Sequence, residues 1–200
     1  SSGENGYFWI SYYDRSLKQP SFYEMEYETL GEAEDVVISQ YDGTGYASVI
    51  KPLNPSDDLR ISGANVFTST TNQYLKEVSF YAAAFPLSYE ISVYRYVESS
   101  PDTGTLVYTQ SGSLSYSGYF TVDLAESIPI AEGEKFAVEL KFNDKNGYVP
   151  HERVTTNSNC RIFTADYGQS YLYDRGKGAD MMVLGYNCNI CIKAIGTATT

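Results

Sequence analysis

Few residues in this chain are able to do acid–base or nucleophilic chemistry: one histidine, His151, and three cysteines, Cys160, Cys188 and Cys191. A thiol nucleophile needs a base to take its proton and a third group to orient that base. His151 precedes every cysteine, and neither it nor Cys160 stands in a nucleophile-like motif. Both are read as loop residues, and no catalytic residue is assigned. Cys188-x-x-Cys191 presents two thiols at a spacing that can grip a metal, and Cys160 with His151 would complete a zinc set of three thiolates and an imidazole. The same residues are compatible with a disulfide involving Cys160, or with buried free thiols that pack as small apolar groups. The alternation in NCNICIKAI (Asn187 to Ile195) predicts a strand with Cys188, Ile190 and Ile192 on one face and Cys191 on the other, which favours free thiols.

Oxygen chemistry has more candidates. Asp42, Asp57, Asp58, Asp166, Asp174 and Asp180 fall in loop-like text, where carboxylates bind calcium in many sandwich domains. None forms the regular Asp-rich loop of an EF-hand, so calcium is weighed against solvated loops. No pair of acids stands out as the two convergent carboxylates of a glycosidase.

The aromatic surface is the stronger signal, because 20 of the 200 residues are tyrosine. Tyrosine suits half-buried strand positions and binding surfaces, having an apolar ring and a hydroxyl that wants water or a partner. Tyr94 and Tyr96 lie two apart on the polar face of one strand, roughly 7 Å from each other at ~3.3 Å per residue, a separation suited to stacking on sugar rings. Tyr81 and Tyr119 are expected on wet faces of neighbouring strands. These four are the candidate ligand-binding residues; the competing expectation is that they pack against the rest of the protein.

The elements that must position them read as β throughout. Tyr89, Ile91 and Val93 alternate with Glu90, Ser92 and Tyr94, and Phe136, Val138, Leu140 and Phe142 alternate with Lys135, Ala137, Glu139 and Lys141. Each such strand has one core face and one wet face. Turn residues at Pro101 to Gly104, Tyr116 to Gly118 and Ala131 to Glu134 recur at sandwich spacing. The fold class predicted is all-β, a two-sheet antiparallel β-sandwich of jelly-roll type with little or no helix. Residues 61–200 form the sandwich, and residues 15–60 form a wrapping connector with short strands that packs on it as part of one domain. Gly31 to Val37 is expected to hold one helical turn at most. Residues 1–14 carry a compact aromatic strand, GYFWISYYD, that reads as the last strand of something else.

Composition bounds the partners. Two hundred residues suffice for a sizeable core, burying roughly 70% of the unfolded surface. A net charge of −11 repels phosphate backbones and anionic membranes, so no nucleic acid is expected as partner. No apolar run approaches the ~20 residues that span a bilayer, so membrane insertion is not expected. The first ten residues lack the pattern of a signal peptide, so any export signal is expected upstream of Ser1 or already removed.

GENGYFWISYYD (Gly3 to Asp14) resembles the closing strand of papain-like cysteine peptidases, where a Gly-x-x-Gly-Tyr run comes shortly after the catalytic Asn of an Asn-Ser-Trp-Gly segment. The rest of the chain is similar to the lectin-like domain attached C-terminally to such peptidases in some bacteria and archaea. The matching pieces are SQYDGTG (Ser39 to Gly45), ANVFTS (Ala64 to Ser69), YLKEVSFY (Tyr74 to Tyr81), YEISVYRYV (Tyr89 to Val97), GTLVYTQSG (Gly104 to Gly112), GYFTVDL (Gly118 to Leu124), GEKFAVELKF (Gly133 to Phe142) and CIKA (Cys191 to Ala194). The resemblance implies a non-catalytic, monomeric accessory domain of a secreted or cell-surface peptidase, with the catalytic residues upstream. It would hold the enzyme at a polysaccharide or glycoprotein glycan. The alternative it leaves is a structural or protein-interaction module that packs on the peptidase domain and binds no sugar.

Overall fold

The computed structural model of the chain describes residues 35–43, 45–51, 61–144, 147–152, 164–174 and 176–199. The aromatic strand expected over residues 1–14 lies outside the described residues, as do Asp57, Asp58 and Cys160.

Among the described residues the chain forms β1 (Val36–Ser39), β2 (Ser48–Ile50), β3 (Ile61–Thr68), β4 (Gln73–Ala82), β5 (Leu87–Arg95), β6 (Thr105–Leu114), β7 (Gly118–Ile130), β8 (Lys135–Phe142), β9 (Val149–His151), β10 (Ser170–Asp174), β11 (Lys177–Asp180) and β12 (Ile192–Ala198). They belong to a unit that runs from Glu32 to Thr200. A four-stranded sheet has the order β1-β12-β4-β7 and a six-stranded sheet the order β11-β10-β3-β8-β5-β6. Every pairing is antiparallel, including the small β2-β9 sheet that the alternation did not signal. The two larger sheets make the expected sandwich, and a 3-10 turn (Pro101–Thr103) stands where the PDTG turn was predicted.

The core lies between these two sheets and is drawn from both. Phe80 of β4 touches Tyr89 of β5 and Phe142 of β8, with ring centroids 5.3 and 6.2 Å apart. Phe80, Ile91, Val93, Phe136 and Val138 are fully buried. Truncating a ring such as Phe80 to Ala costs about 3–5 kcal/mol, because the transfer energy and the cavity add.

Two local expectations change. Of the single helical turn allowed over Gly31 to Val37, Asp35 is in 3-10 conformation, while Val36 and Val37 open β1, since adjacent β-branched residues favour an extended backbone. The strand expected from Asn187 starts only at Ile192, because Asn187 has φ 48° and breaks the alternation. Cys188 and Cys191 are both buried.

A polar network crosses the core. Asn65, on the inward face of β3, donates its side-chain amide to the carbonyls of Ile190 (2.9 Å) and Ile192 (3.1 Å). The Ser170 hydroxyl of β10 donates to Asn65 Oδ1 (2.7 Å) and accepts from the Ile190 N–H (3.1 Å). Buried polar groups are tolerated when partnered in this way. A side chain at Gly63 would meet Ile190 and Val149, each 2.8 Å from its Cβ, so this close approach requires glycine.

Candidate functional site

On β4, Phe80 and Ala82 face the core, which leaves Ser79 and Tyr81 on the outer face of the four-stranded sheet. A register shift between Leu75 and Glu77 sets this phase: Leu75 and Val78 both point inward although they are an odd number of residues apart. A bulge re-aims every side chain beyond it, and here it turns Tyr81 outward. Tyr119 pairs directly with Tyr81 across the β4-β7 ladder, and their ring centroids lie 4.7 Å apart. Tyr46 extends the row, 5.7 Å from Tyr81 and 46% exposed. Gly45 allows that approach: its φ is 75°, and a Cβ there would lie 2.6 Å from the Tyr81 hydroxyl. The Lys193 ammonium of β12 sits 5.9 Å from the Tyr119 ring centre and 3.7 Å from Asp42 Oδ2. Three rings and one cation thus form a platform on this face, and Tyr46 was not among the residues singled out from the sequence.

Tyr94 and Tyr96 do not share a platform. Tyr94 is half-buried on the outer face of the six-stranded sheet, against Ala64, Val66, Val97, Ala137, Tyr171 and Tyr173. Its hydroxyl donates to Glu139 Oε2 (2.9 Å), while Ser62 donates to Glu139 Oε1 (2.5 Å). Burial first, and then the Glu139 carboxylate, push the Tyr94 phenol well above its ordinary range. Tyr171 donates to the Ser99 carbonyl, and burial followed by Asp102 raises the Tyr173 phenol. These tyrosines fasten the segment between β5 and β6 onto the sheet. Tyr96 lies one residue beyond β5 with φ 56°, so strand alternation does not reach it; it is 60% exposed.

The thiols are not poised for chemistry. Cys188 and Cys191 are free and buried. Burial, and secondarily Glu152, push the Cys188 thiol up to about 12, and burial pushes Cys191 higher still. A protonated, buried thiol is a poor nucleophile at neutral pH. No group of three or more His, Cys, Asp or Glu side chains among the described residues is arranged to hold a metal. His151, read as a loop residue, instead ends β9 and is buried, with Nδ1 2.5 Å from the Glu152 carbonyl; Cys160 lies outside the described residues.

Of the loop acids, Asp42 stands apart. It is 1% exposed, and neither carboxylate oxygen has a hydrogen-bond partner among the described residues. Burial raises its pKa to about 6 against the opposing pull of Lys193, with Glu152 adding to the rise. Glu152 is fully buried; its Oε1 accepts from Asn189 (3.1 Å) and its Oε2 is unpartnered among the described residues. No sequence signal marked Glu152, since a lone glutamate after a short strand ordinarily faces water. Asp42 and Glu152 thus carry carboxylate oxygens without hydrogen-bond partners among the described residues. Asp180 instead accepts from the Gly168 N–H (2.6 Å) and the Met182 N–H (2.8 Å), holding two turns together. Asp166 is exposed and Asp174 half-buried.

The sequence model of the family described as Lectin like domain matches residues 38–196. No curated protein matches the chain. Two solved structures share its fold over 82% of its length. One is the clostridial cysteine protease Cwp84 after propeptide cleavage, with TM-score 0.66, 24% identity and 41% of that chain covered. The other contains the cysteine protease and lectin-like domains of Cwp84, a surface layer associated protein of Clostridium difficile, with TM-score 0.62, 22% identity and 36% covered. This chain therefore spans about two-fifths of the length of those proteins.

Proposed function

The chain belongs to the lectin-like domain family, and from that membership we propose that it is a non-catalytic carbohydrate-binding domain of a secreted or surface papain-like cysteine peptidase. The catalytic residues of the parent protein would lie upstream, and the domain would hold that enzyme at a polysaccharide or glycoprotein glycan. The observation that carries this reading is the Tyr46, Tyr81 and Tyr119 row on the outer face of the four-stranded sheet. Rigid tyrosine rings give contact area at low entropic cost, and Lys193 beside them can meet sugar hydroxyls. The family name and the company of a cysteine protease in Cwp84 support the assignment.

A glycan array and an insoluble-polysaccharide pull-down with the 200-residue chain test it. Binding that weakens roughly ten-fold or more in Tyr119→Ala, equivalent to about 1.4 kcal/mol, supports the platform. Binding unchanged in the Tyr81→Ala/Tyr119→Ala double variant removes it.

A second reading has one observation in its favour. Val36 and Ile38 of edge strand β1 are 49% and 54% exposed, and Tyr74 on the same sheet is 45% exposed. An apolar edge of this kind is normally blunted or covered, which suits a module packed against a peptidase domain. Failure to bind any glycan, combined with association with the separately produced peptidase that Val36→Ser/Ile38→Ser abolishes, would favour it.

A further inference from the structure

Tyr96 departs from its surroundings in three ways. It is a non-glycine residue in the left-handed region, with φ 56°; its ring is 60% exposed; and its neighbour Arg95 stacks on that ring with the guanidinium carbon 4.6 Å from the centroid. Strain kept at an exposed aromatic residue persists only where its surroundings hold it, and such outliers gather at ligand sites. The hold is visible here. Arg95 Nε and Nη2 both donate to Glu134, each at 2.7 Å, in a bidentate pair. Glu134 Oε2 also accepts from the Ala131 N–H (3.2 Å), which anchors it in the β7-β8 turn. One face of the Tyr96 ring is thus braced by a fixed cation, and the residue as a whole remains accessible to water.

The position is remote from the tyrosine row. Val97, next to Tyr96, donates its N–H to the Lys135 carbonyl at the start of β8 (3.0 Å). Phe142, at the end of β8, packs on Phe80, next to Tyr81. The length of β8 between those points is seven residue steps, roughly 23 Å at ~3.3 Å per step.

We infer that Tyr96, braced by Arg95 and Glu134, is a second sugar-stacking site at the opposite end of the sandwich from Tyr81 and Tyr119, so that one domain engages two segments of polysaccharide at once. The inference rests on the carbohydrate-binding reading above. The ligand class is a neutral polysaccharide: the Arg95 charge is taken up by Glu134, and the chain carries a net charge of −11, which disfavours acidic sugars. Glu98, two residues on, and Lys135, whose carbonyl accepts the Val97 N–H, are both exposed and offer partners for hydroxyl groups. Two linked sites turn the second contact into an intramolecular event, so retention on a polymer exceeds what either site gives alone.

The test is a backbone-amide NMR titration of the full chain with cellohexaose, chitohexaose and mannohexaose, in wild type, Tyr96→Ala, Tyr96→Asn and Tyr119→Ala. Tyr96→Asn keeps a residue that accepts the left-handed conformation, so it separates loss of the ring from loss of fold. Expected are shifts at both ends in wild type. Those around Arg95–Glu98 and Glu132–Lys135 should vanish in both Tyr96 variants, and those around Tyr81 should vanish in Tyr119→Ala. Retention on the matching insoluble polymer should drop about ten-fold or more in Tyr96→Asn, as avidity is lost. Shifts confined to the Tyr119 end, with Tyr96→Asn unchanged in retention, overturn the second site and leave the first standing. Shifts at neither end with any of the three sugars overturn both.

Discussion

The Lys193 ammonium stands 3.7 Å from the buried Asp42 carboxylate and 5.9 Å from the centre of the Tyr119 ring, so a single cation ties a desolvated acid to the exposed aromatic row.

The first prediction concerns pH. Asp42 has a folded-state pKa of about 6, above its ordinary value of 3.8. A carboxyl whose pKa rises on folding binds its proton more tightly in the folded state, so its ionisation opposes folding. The protein should be most stable below pH ~4 as far as Asp42 is concerned. It should lose stability as pH rises through about 6, by an amount on the order of 2 kcal/mol. Urea denaturation in EDTA, at steps between acid and neutral pH, should show this loss in wild type and a flatter profile in Asp42→Asn. Parallel profiles for the two proteins would show that Asp42 does not titrate in this way.

Calcium should reverse that penalty. A dication held by Asp42 and Glu152 would replace the missing partners of both carboxylates. The melting temperature at neutral pH should rise with calcium and return to its starting value on adding EDTA, with stabilisation of about 2.7 kcal/mol at a hundred times the dissociation constant. Glu152→Gln should abolish the response. A melting temperature indifferent to millimolar calcium would leave the pair as buried acids with no bound ion.

How much of this was legible beforehand can be judged from particular strands. The alternation through Tyr89–Val93 and Phe136–Phe142 placed β5 and β8 correctly, and the Pro101–Gly104 and Ala131–Glu134 turns fall where glycine and proline put them. Tyr81 and Tyr119 were expected only on wet faces of neighbouring strands; their direct pairing follows from the β4-β7 register, whose shift after Leu75 breaks the period of two. That period holds only until a residue is inserted or the backbone turns left-handed. The φ of Tyr96 breaks it one residue past β5, while Tyr94 keeps the outward face that the alternation gave it, which is why the two did not form the pair their spacing suggested. Burial of Asp42 and Glu152 was invisible for a different reason. It arises from segments distant in sequence meeting around Lys193 and Asn189, and no local pattern encodes such a meeting.

Tyr94 supplies the third prediction. Its hydroxyl is committed to Glu139, and the ring packs on Ala64 and Ala137 side by side with Tyr171 and Tyr173. Tyr94→Phe should destabilise the fold by about 1–2 kcal/mol, since a half-buried charge-assisted hydrogen bond is lost and Glu139 keeps only Ser62. Polysaccharide retention should be unchanged. A denaturation midpoint equal to that of wild type, or retention that falls with the hydroxyl, would assign Tyr94 to the binding surface instead.

The Asn65 amide that spans the core to reach the carbonyls of Ile190 and Ile192 has a consequence for recognition. Sheets that meet through hydrocarbon alone tolerate small slips, because one greasy contact substitutes for another at little cost. A buried amide with two fixed acceptors permits one alignment only. Asn65 sits on the six-stranded sheet that leads to Tyr96, and Ile192 opens the strand that carries Lys193 toward Tyr119. The network therefore acts as a ruler, keeping the distance between two remote surface features constant, so that under the two-site proposal a polymer would meet the same spacing on every molecule.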